Sequence, residues 1–563
     1  LVLREPFGEQ FHNCKVSSMI STHLSGLSES QPDVCVVGAG TIGIPLALDL
    51  ERLGCSVLLL ESGGMRVSAD LQGLADAEIA APDHHAAMNL AVQRRLGGAS
   101  NLWGGRCVAM EEIDFAARAY VPDSGWPISL ADVTPYYAAA CNYLDCGEPE
   151  FDDPIHDLPI SDADFLFSRI ERWSARPRIG GNYARRLRDS RAIDLRLKAT
   201  VVGFDHAEDG RVVSIRVCNL SGNQTTVNPR SIILAAGGLE NTRLLLSTQR
   251  DRPNSFGGPG GPLGRYYMGH LYGLAAEMVI HSEKLDSGIE YFLSRDGRYV
   301  RRRFTPSAAL QRRMGLTNIS MWPDYPAIRN PDHRSGIMSL AYCGLAIPPV
   351  GRMIVAESIR SHYVGPGRPE WLPHIANIVR DAPKTAAFVP SFIYRRYLAR
   401  PYMPGFFQRN AARRYAVRFH AEHLPNSDSR VTLARETDAL GLPRLAIDFR
   451  YTKADTEPLL RAHACFAEWL ERTCLGSMSW SVPADQRSEH IIAQCSDGHH
   501  QIGTTRMSAS PAGGVVDADC RVHGSANLFV AGSSVFPTSA EANPTLTALA
   551  LGLRTAAIVA ARR

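Results

Sequence analysis

Gly38, Gly40 and Gly43 form a GxGxxG turn between an apolar run and an amphipathic one. In such a turn the first glycine permits a tight bend, the second lets the backbone approach a pyrophosphate, and the third lets helix pack on strand. The helix that follows aims its N-terminus at the phosphates. Thr41 and Ile42 lie inside the turn, and Glu61 and Ser62 close the next apolar run. The Glu61 carboxylate can accept both hydroxyls of a ribose and would repel a 2′-phosphate, so the chemistry offered is dinucleotide binding without the extra phosphate. The turn alone does not separate a flavin from a nicotinamide dinucleotide, because both present the same adenosine diphosphate end.

Three other segments carry reactive or ring-binding groups. GHHQIGTTRM holds His499 and His500, and imidazole, with an ordinary pKa near ~6.5, suits a base at neutral pH. Asn543, Pro544 and Thr545 read as an N-cap, a proline at the first helical position and the start of an apolar helix whose positive end would stabilise an anion. LGGASNLWGGRC, with Gly97, Gly98, Ser100, Asn101 and Leu102, could lay backbone amides against a flat ring. Each also has a plainer reading: core histidines, an ordinary capped helix, a flexible loop. If the histidine segment is extended, His499 points away from His500.

The elements that must position these groups are visible in the periodicity. DVCVVGAG reads as a buried strand entering the glycine turn, TIGIPLALDLERLG as a helix and SVLLLE as a second strand, together a βαβ unit. SIILAAGG running into LENTRLLLST, and NLFVAGSS before a further helix, are two more strand-turn-helix blocks. Blocks so far apart predict an α/β chain, α+β overall: a discontinuous Rossmann-like domain over 31–264 and 490–563, with a cofactor-covering segment at about 95–190. Residues 265–489, where strands, helices and Pro-rich connections mix, are expected to form an inserted substrate-binding domain on a mixed or antiparallel sheet with helices. Residues 1–30 are expected to be an irregular leader.

Composition excludes several classes. With 563 residues, 45% of them hydrophobic, the chain can bury more than one core. Sixty Lys and Arg against 57 Asp and Glu leave a net charge of +3 with no long basic run, so no nucleic-acid partner is expected. Twelve cysteines lack metal-like, haem-attachment or paired spacing, and no metal is expected. No apolar run is long enough for a membrane span, and the first 30 residues lack a secretory pattern, so a cytoplasmic protein is expected.

The motifs occur in a telling order: GxGxxG, LGGASNLWGG, SGWPISLADVTPYY at 124–137, ILAAGGLENTRLLL, PNSDSRVTL at 425–433, HQIGTTRM and NPTLT. Together, over residues 33–560, they resemble the glucose-methanol-choline (GMC) oxidoreductases, nearer to the pyranose 2-oxidase-like and bacterial sugar dehydrogenase branches. The resemblance implies FAD. It makes His500, first residue of HxxGTxxM, the base that takes the alcohol proton while hydride leaves for flavin N5, and Asn543 the group that polarises the oxygen. It also implies that Thr545 and its neighbours meet the flavin's pyrimidine edge, Asn101 its hydride-accepting nitrogen, Val202 the adenine, Ala236 and Gly237 a second glycine turn, and Ala531 and Gly532 the phosphate region. Gly269 and His270 resemble a segment bordering the cofactor, with packing an equal reading. Relatives that bind FAD covalently use a histidine in an STHW-type segment. Here the residue is Leu102, so non-covalent FAD is expected.

The expected reaction is oxidation of a hydroxyl on a sugar, glycoside or aminoglycoside-like substrate, with electrons passed to oxygen or a separate acceptor. The alternatives are a redox-neutral FAD-containing lyase of the same family, a non-sugar alcohol oxidase or dehydrogenase, a non-catalytic flavin protein and a nicotinamide dehydrogenase.

Overall fold

Short apolar runs with no polar alternation, such as VCVV and VLLLE, suit strands covered on both faces, and Val34–Val37 and Val57–Glu61 are buried at every position. They form the middle of a six-stranded sheet in the order Ile20–Ser21, Ile193–Leu197, Val57–Glu61, Val34–Val37, Ser231–Leu234, Leu528–Val530, parallel throughout. The structure is a computed structural model that describes residues 20–156, 158, 162–325, 328–355, 357–365, 367–405, 407–409 and 412–562.

Helices Gly43–Arg52, Gly238–Asp251 and Thr545–Ala561 follow strands or glycine turns, as the sequence leads one to expect. Residues 1–19 of the expected leader lie outside the described residues. Within the rest of it, Ile20 and Ser21 are not irregular but pair with Leu195 and Arg196 at the edge of the sheet.

The second sheet is antiparallel. Its four strands run in the order Ile319–Asp324, Arg414–Glu422, His270–Ile280, Gly476–Trp480. The long helix Lys453–Arg472 lays Leu459, Phe466 and Trp469 into a second apolar core with Met278, Met321 and Phe419. Phe165 and Phe167, from the segment expected to cover the cofactor, also join this core, because Phe165–Leu166 pairs with Thr305–Pro306. A pair of histidines thereby comes to one place: His270 begins one strand and His420 lies diagonally across from it on the next, where side chains share a face.

Candidate active site

A cleft opens at the C-terminal ends of the parallel strands, the end at which doubly wound sheets bind ligands. Gly38, Gly40, Thr41 and Ile42 line it from the first turn, and Glu61 and Ser62 from the second strand. Ala236 and Gly237 follow the Ser231–Leu234 strand, and Ala531 and Gly532 follow Leu528–Val530. Gly98, Pro544, Thr545, His499 and His500 complete the lining among the residues singled out above.

The glycines divide by geometry. Gly38 has φ +104°, and a Cβ there would stand 2.6 Å from the carbonyl oxygen of Ala235; a Cβ on Gly43 would stand 1.8 Å from that of Gly38. These two serve the turn and the helix–strand contact. At Gly40 a Cβ would meet nothing nearer than the Cα of Gly98 at 3.9 Å, at Gly237 only Gln501 at 3.6 Å, and at Gly532 only Asn241 at 4.0 Å. Bare backbone at three strand ends, beside a helix N-terminus, is the cradle a dinucleotide pyrophosphate needs, so the residues present fit such a cofactor.

Glu61 is buried at the end of its strand, and its two oxygens accept the N–H groups of Ala39 (3.0 Å) and Gly63 (2.7 Å). Burial raises its pKa, and these two hydrogen bonds pull partly against that shift. Arg94, which the sequence reading passed over, also lines the cleft. Its guanidinium donates to Ser62 Oγ (2.9 Å) and pairs with Glu240 (2.7 Å).

Several of the residues expected to meet the cofactor are not among those lining this cleft. Asn101 Nδ2 donates to the carbonyls of Leu96 (3.1 Å) and Gly98 (2.9 Å), so its amide hydrogens brace its own loop. Ser100 Oγ donates to Gly97 O (2.5 Å) and accepts from Ile179 N (3.3 Å), Gly97 takes φ +90° where a Cβ would strike Gly180, and Leu102 caps the same short turn. These residues shape the loop behind Gly98. Val202 lines a different cavity, between the Thr200–His206 strand and residues 440–443.

The histidine segment is a turn organised by Asp497, which the sequence reading also missed. Asp497 Oδ1 accepts the N–H groups of Gly498 (2.8 Å), His499 (3.0 Å) and His500 (3.1 Å), and Oδ2 accepts that of His270 (2.7 Å). The segment is therefore not extended, and His499 is an exposed residue that still lines the cleft. Burial alone would raise the Asp497 pKa. The neighbouring His500, His270 and His499 and the hydrogen bond from His500 N–H outweigh it, holding it at about 2.

His500 is gripped at both ring nitrogens. Asn543 Nδ2 lies 3.1 Å from Nε2, and His270 Nδ1 lies 2.8 Å from Nδ1. An amide NH₂ only donates, so Nε2 is an acceptor, the proton sits on Nδ1, and His270 Nδ1 receives it. This displaces one expectation: Asn543 does not cap the last helix. Pro544 takes the capping position and the helix begins at Thr545, because the asparagine amide is directed to His500 instead. Asn543 Oδ1 is buried without a partner among the described residues.

Behind the pair, His420 stacks on His270 with centroids 4.3 Å apart, and its Nδ1 lies 2.7 Å from the carbonyl of Glu541. Ring nitrogens of His270, His420 and His500 lie within 4.8 Å of one another, a spacing a metal ion could also use. Burial pushes the His500 pKa down, with His499 and Arg106 adding to the fall and Asp497 opposing it. Burial, with the neighbouring His420 and His500 rings, holds His270 well below the usual value, and burial with Arg106, His500 and Arg303 does the same for His420. All three are neutral at neutral pH, the form in which His500 Nε2 can take a proton.

Residues 425–552 match the GMC oxidoreductase family. The chain is 36% identical over 142 residues to a 6'''-hydroxyparomomycin C oxidase of Streptomyces lividus, covering 25% of this chain and 24% of that protein. It is 37% identical over 124 residues to a C-glycoside 3-oxidase of Arthrobacter globiformis, 22% of each. The matches thus span about a quarter of the length of these curated relatives. In structure it is similar in fold to a fungal aryl-alcohol oxidase, with TM-score 0.51 and 14% identity over 94% of this chain and 99% of that one. The residues that match the GMC oxidoreductase family model, 425–552, are those that carry His500, Asn543 and the start of the last helix.

Proposed function

We propose that this chain oxidises a hydroxyl on a sugar, glycoside or aminoglycoside-like substrate, with FAD held non-covalently in the glycine-lined cleft. The observation that carries the reading is the unprotonated Nε2 of His500, met by the Asn543 amide at 3.1 Å and backed at Nδ1 by His270, in the same cleft as Gly40, Gly237 and Gly532. The family is FAD-dependent, and the named relatives oxidise aminoglycosides and C-glycosides.

Bound FAD would supply the hydride acceptor. The protein's part is to make hydride loss feasible, since positive charge would build on the carbinol carbon if its oxygen kept the proton. The substrate hydroxyl takes the place of the Asn543 amide at His500 Nε2, which then accepts its proton. The Asn543 amide fixes the oxygen, and its unpaired Oδ1 is free for a second substrate hydroxyl. Asp497, with its carboxylate 3.7 Å from His500 Nδ1, stabilises the imidazolium that results. Electrons then leave for oxygen or a separate acceptor. The protein is cytoplasmic in this reading.

The test is an anaerobic screen in which monosaccharides, glycosides and aminoglycosides are mixed with the yellow holoprotein. A substrate should bleach the flavin and yield a carbonyl product, whereas a lyase substrate would be consumed with the colour unchanged. His500→Ala should keep the flavin and lose turnover by about 10²- to 10⁴-fold. Leu102 cannot bond to the ring, so acid precipitation should leave the flavin in the supernatant.

A further inference from the structure

Residues 336–398 fold into five short helices, Gly336–Ala346, Pro348–Ile354, Glu357–Val364, Trp371–Arg380 and Ala382–Ile393, followed by the turn Tyr394–Leu398. The helix Trp371–Arg380 is inside out. His374 is fully buried, its ring nitrogens 2.9 Å from Ser339 Oγ and 3.1 Å from Arg329 O, and buried Asn377 donates to Pro331 O at 2.8 Å. These satisfied polar contacts fix the helix's rotation. The face they turn outward carries Leu372, 81% exposed, with Ile375 and Val379 beside it at helical spacing. Further along, Tyr394 and Leu398 are exposed as well. Twelve of the nineteen exposed large hydrophobic residues among those described lie between Leu340 and Leu398, a concentration that marks an interaction surface.

Charge narrows the occupant. Residues 340–400 contain eight Lys and Arg against three Asp and Glu, 8 − 3 = +5, more than the +3 of the whole chain. Arg380 and Lys384 are exposed on these helices, Arg395 on the turn after them and Arg400 just beyond it. A two-fold dimer through this face would set each +5 surface against its own copy, because such an interface repeats one patch on both sides. An anionic bilayer takes both features at once: acyl chains receive the leucine and valine side chains, headgroups pair with the cations, and Trp371 and Tyr394 suit the boundary between them. No helix among the described residues is long and apolar enough to cross a membrane, so the helices would lie in the interface.

We propose that residues 336–400 are a docking surface for an anionic lipid bilayer, on which the protein rests without spanning it. The surface is separate from the cleft, and the proposal does not depend on the substrate. It is tested by floating the purified full-length holoprotein with vesicles of phosphatidylcholine alone or mixed with phosphatidylglycerol. Wild type should float with the mixed vesicles, far less with the neutral ones, and less again at high salt. The triple variant Leu372→Glu, Val379→Glu, Leu398→Glu should lose roughly tenfold or more of that binding while keeping its flavin absorbance and melting temperature. If it loses its flavin, the variant Arg380→Gln, Lys384→Gln, Arg395→Gln decides, and should lose the preference for phosphatidylglycerol. Wild type that stays at the bottom with both vesicles overturns the proposal, as does undiminished flotation of the variants. A wild-type dimer that the triple variant converts to monomer, with no lipid binding by either, overturns it in favour of a second copy.

Discussion

His500 Nδ1 donates to His270 Nδ1 across 2.8 Å, and this contact fixes which nitrogen of His500 is unprotonated. His270 lies in the first position of a strand in the antiparallel sheet, so the base is oriented by an element distant from it in sequence. Replacing His270 with leucine removes the acceptor and frees the ring to change tautomer. The expected result is a fall of about 10- to 100-fold in kcat with little change in KM, typical of losing a group that orients a reactive one. His270→Asn, whose amide oxygen can accept, should recover part of it. Steady-state kinetics on any bleaching substrate checks this, and full kcat in the leucine variant would remove His270 from the account.

The pH dependence follows from the same site. Burial holds the His500 pKa below its ordinary value, and the neutral ring is the working form. kcat/KM should therefore stay level at neutral pH and fall on acidification, with a midpoint below the ordinary ~6.5 of imidazole. Asp497 pulls His500 upward, so Asp497→Asn should move that midpoint lower still. The same change weakens four backbone N–H contacts and should cost about 2 kcal/mol of stability. A pH–rate profile and a urea titration read the two effects separately.

Two glycines of one motif should fail in different ways. At Gly40 a Cβ has open space, so Gly40→Ala should fold normally but intrude where the cofactor backbone contact forms, lowering flavin occupancy several-fold. At Gly43 a Cβ would overlap the Gly38 carbonyl at 1.8 Å, so Gly43→Ala must shift the helix and should lose about 3 kcal/mol or more. Flavin content per chain and thermal melting, measured on both, would contradict the division of roles if the two variants behaved alike.

What the sequence made legible is what local pattern encodes. The GxGxxG turn, the buried strands and the last helix each lie in one short window, and His500 and Asn543 stand inside motifs. His270 was placed only at the cofactor border or in packing, and His420 and Asp497 escaped, because only strand pairing and a turn bring the three together: His420 belongs to a strand whose register with His270 depends on the whole second sheet. Asp497 had a usable signal, since Ser-Asp-Gly before the histidines is a turn sequence whose carboxylate caps the following N–H groups. The helices of residues 336–398 were read only as part of a mixture of strands, helices and Pro-rich connections. Pro373 and Pro383 both sit in first helical turns, where a missing N–H costs nothing.

Acid should unfold the protein partly through histidines that are buried neutral. His463 is fully buried on the Lys453–Arg472 helix, its Nδ1 2.9 Å from Leu459 O and its ring against Phe419 and Trp480. Burial lowers its pKa to about 4. Between the ordinary ~6.5 and that value the unfolded chain carries a proton here that the folded chain does not, so the unfolded state binds more protons and stability rises with pH. The stabilisation is whole above ~6.5 and drains away as pH falls towards 4. His270, His420 and His500, all shifted downward, add with the same sign. His463→Phe removes one of these titrations, so its urea midpoint should decline less steeply than that of wild type between neutral pH and about pH 5. Parallel declines would mean that His463 is not held neutral in the folded chain.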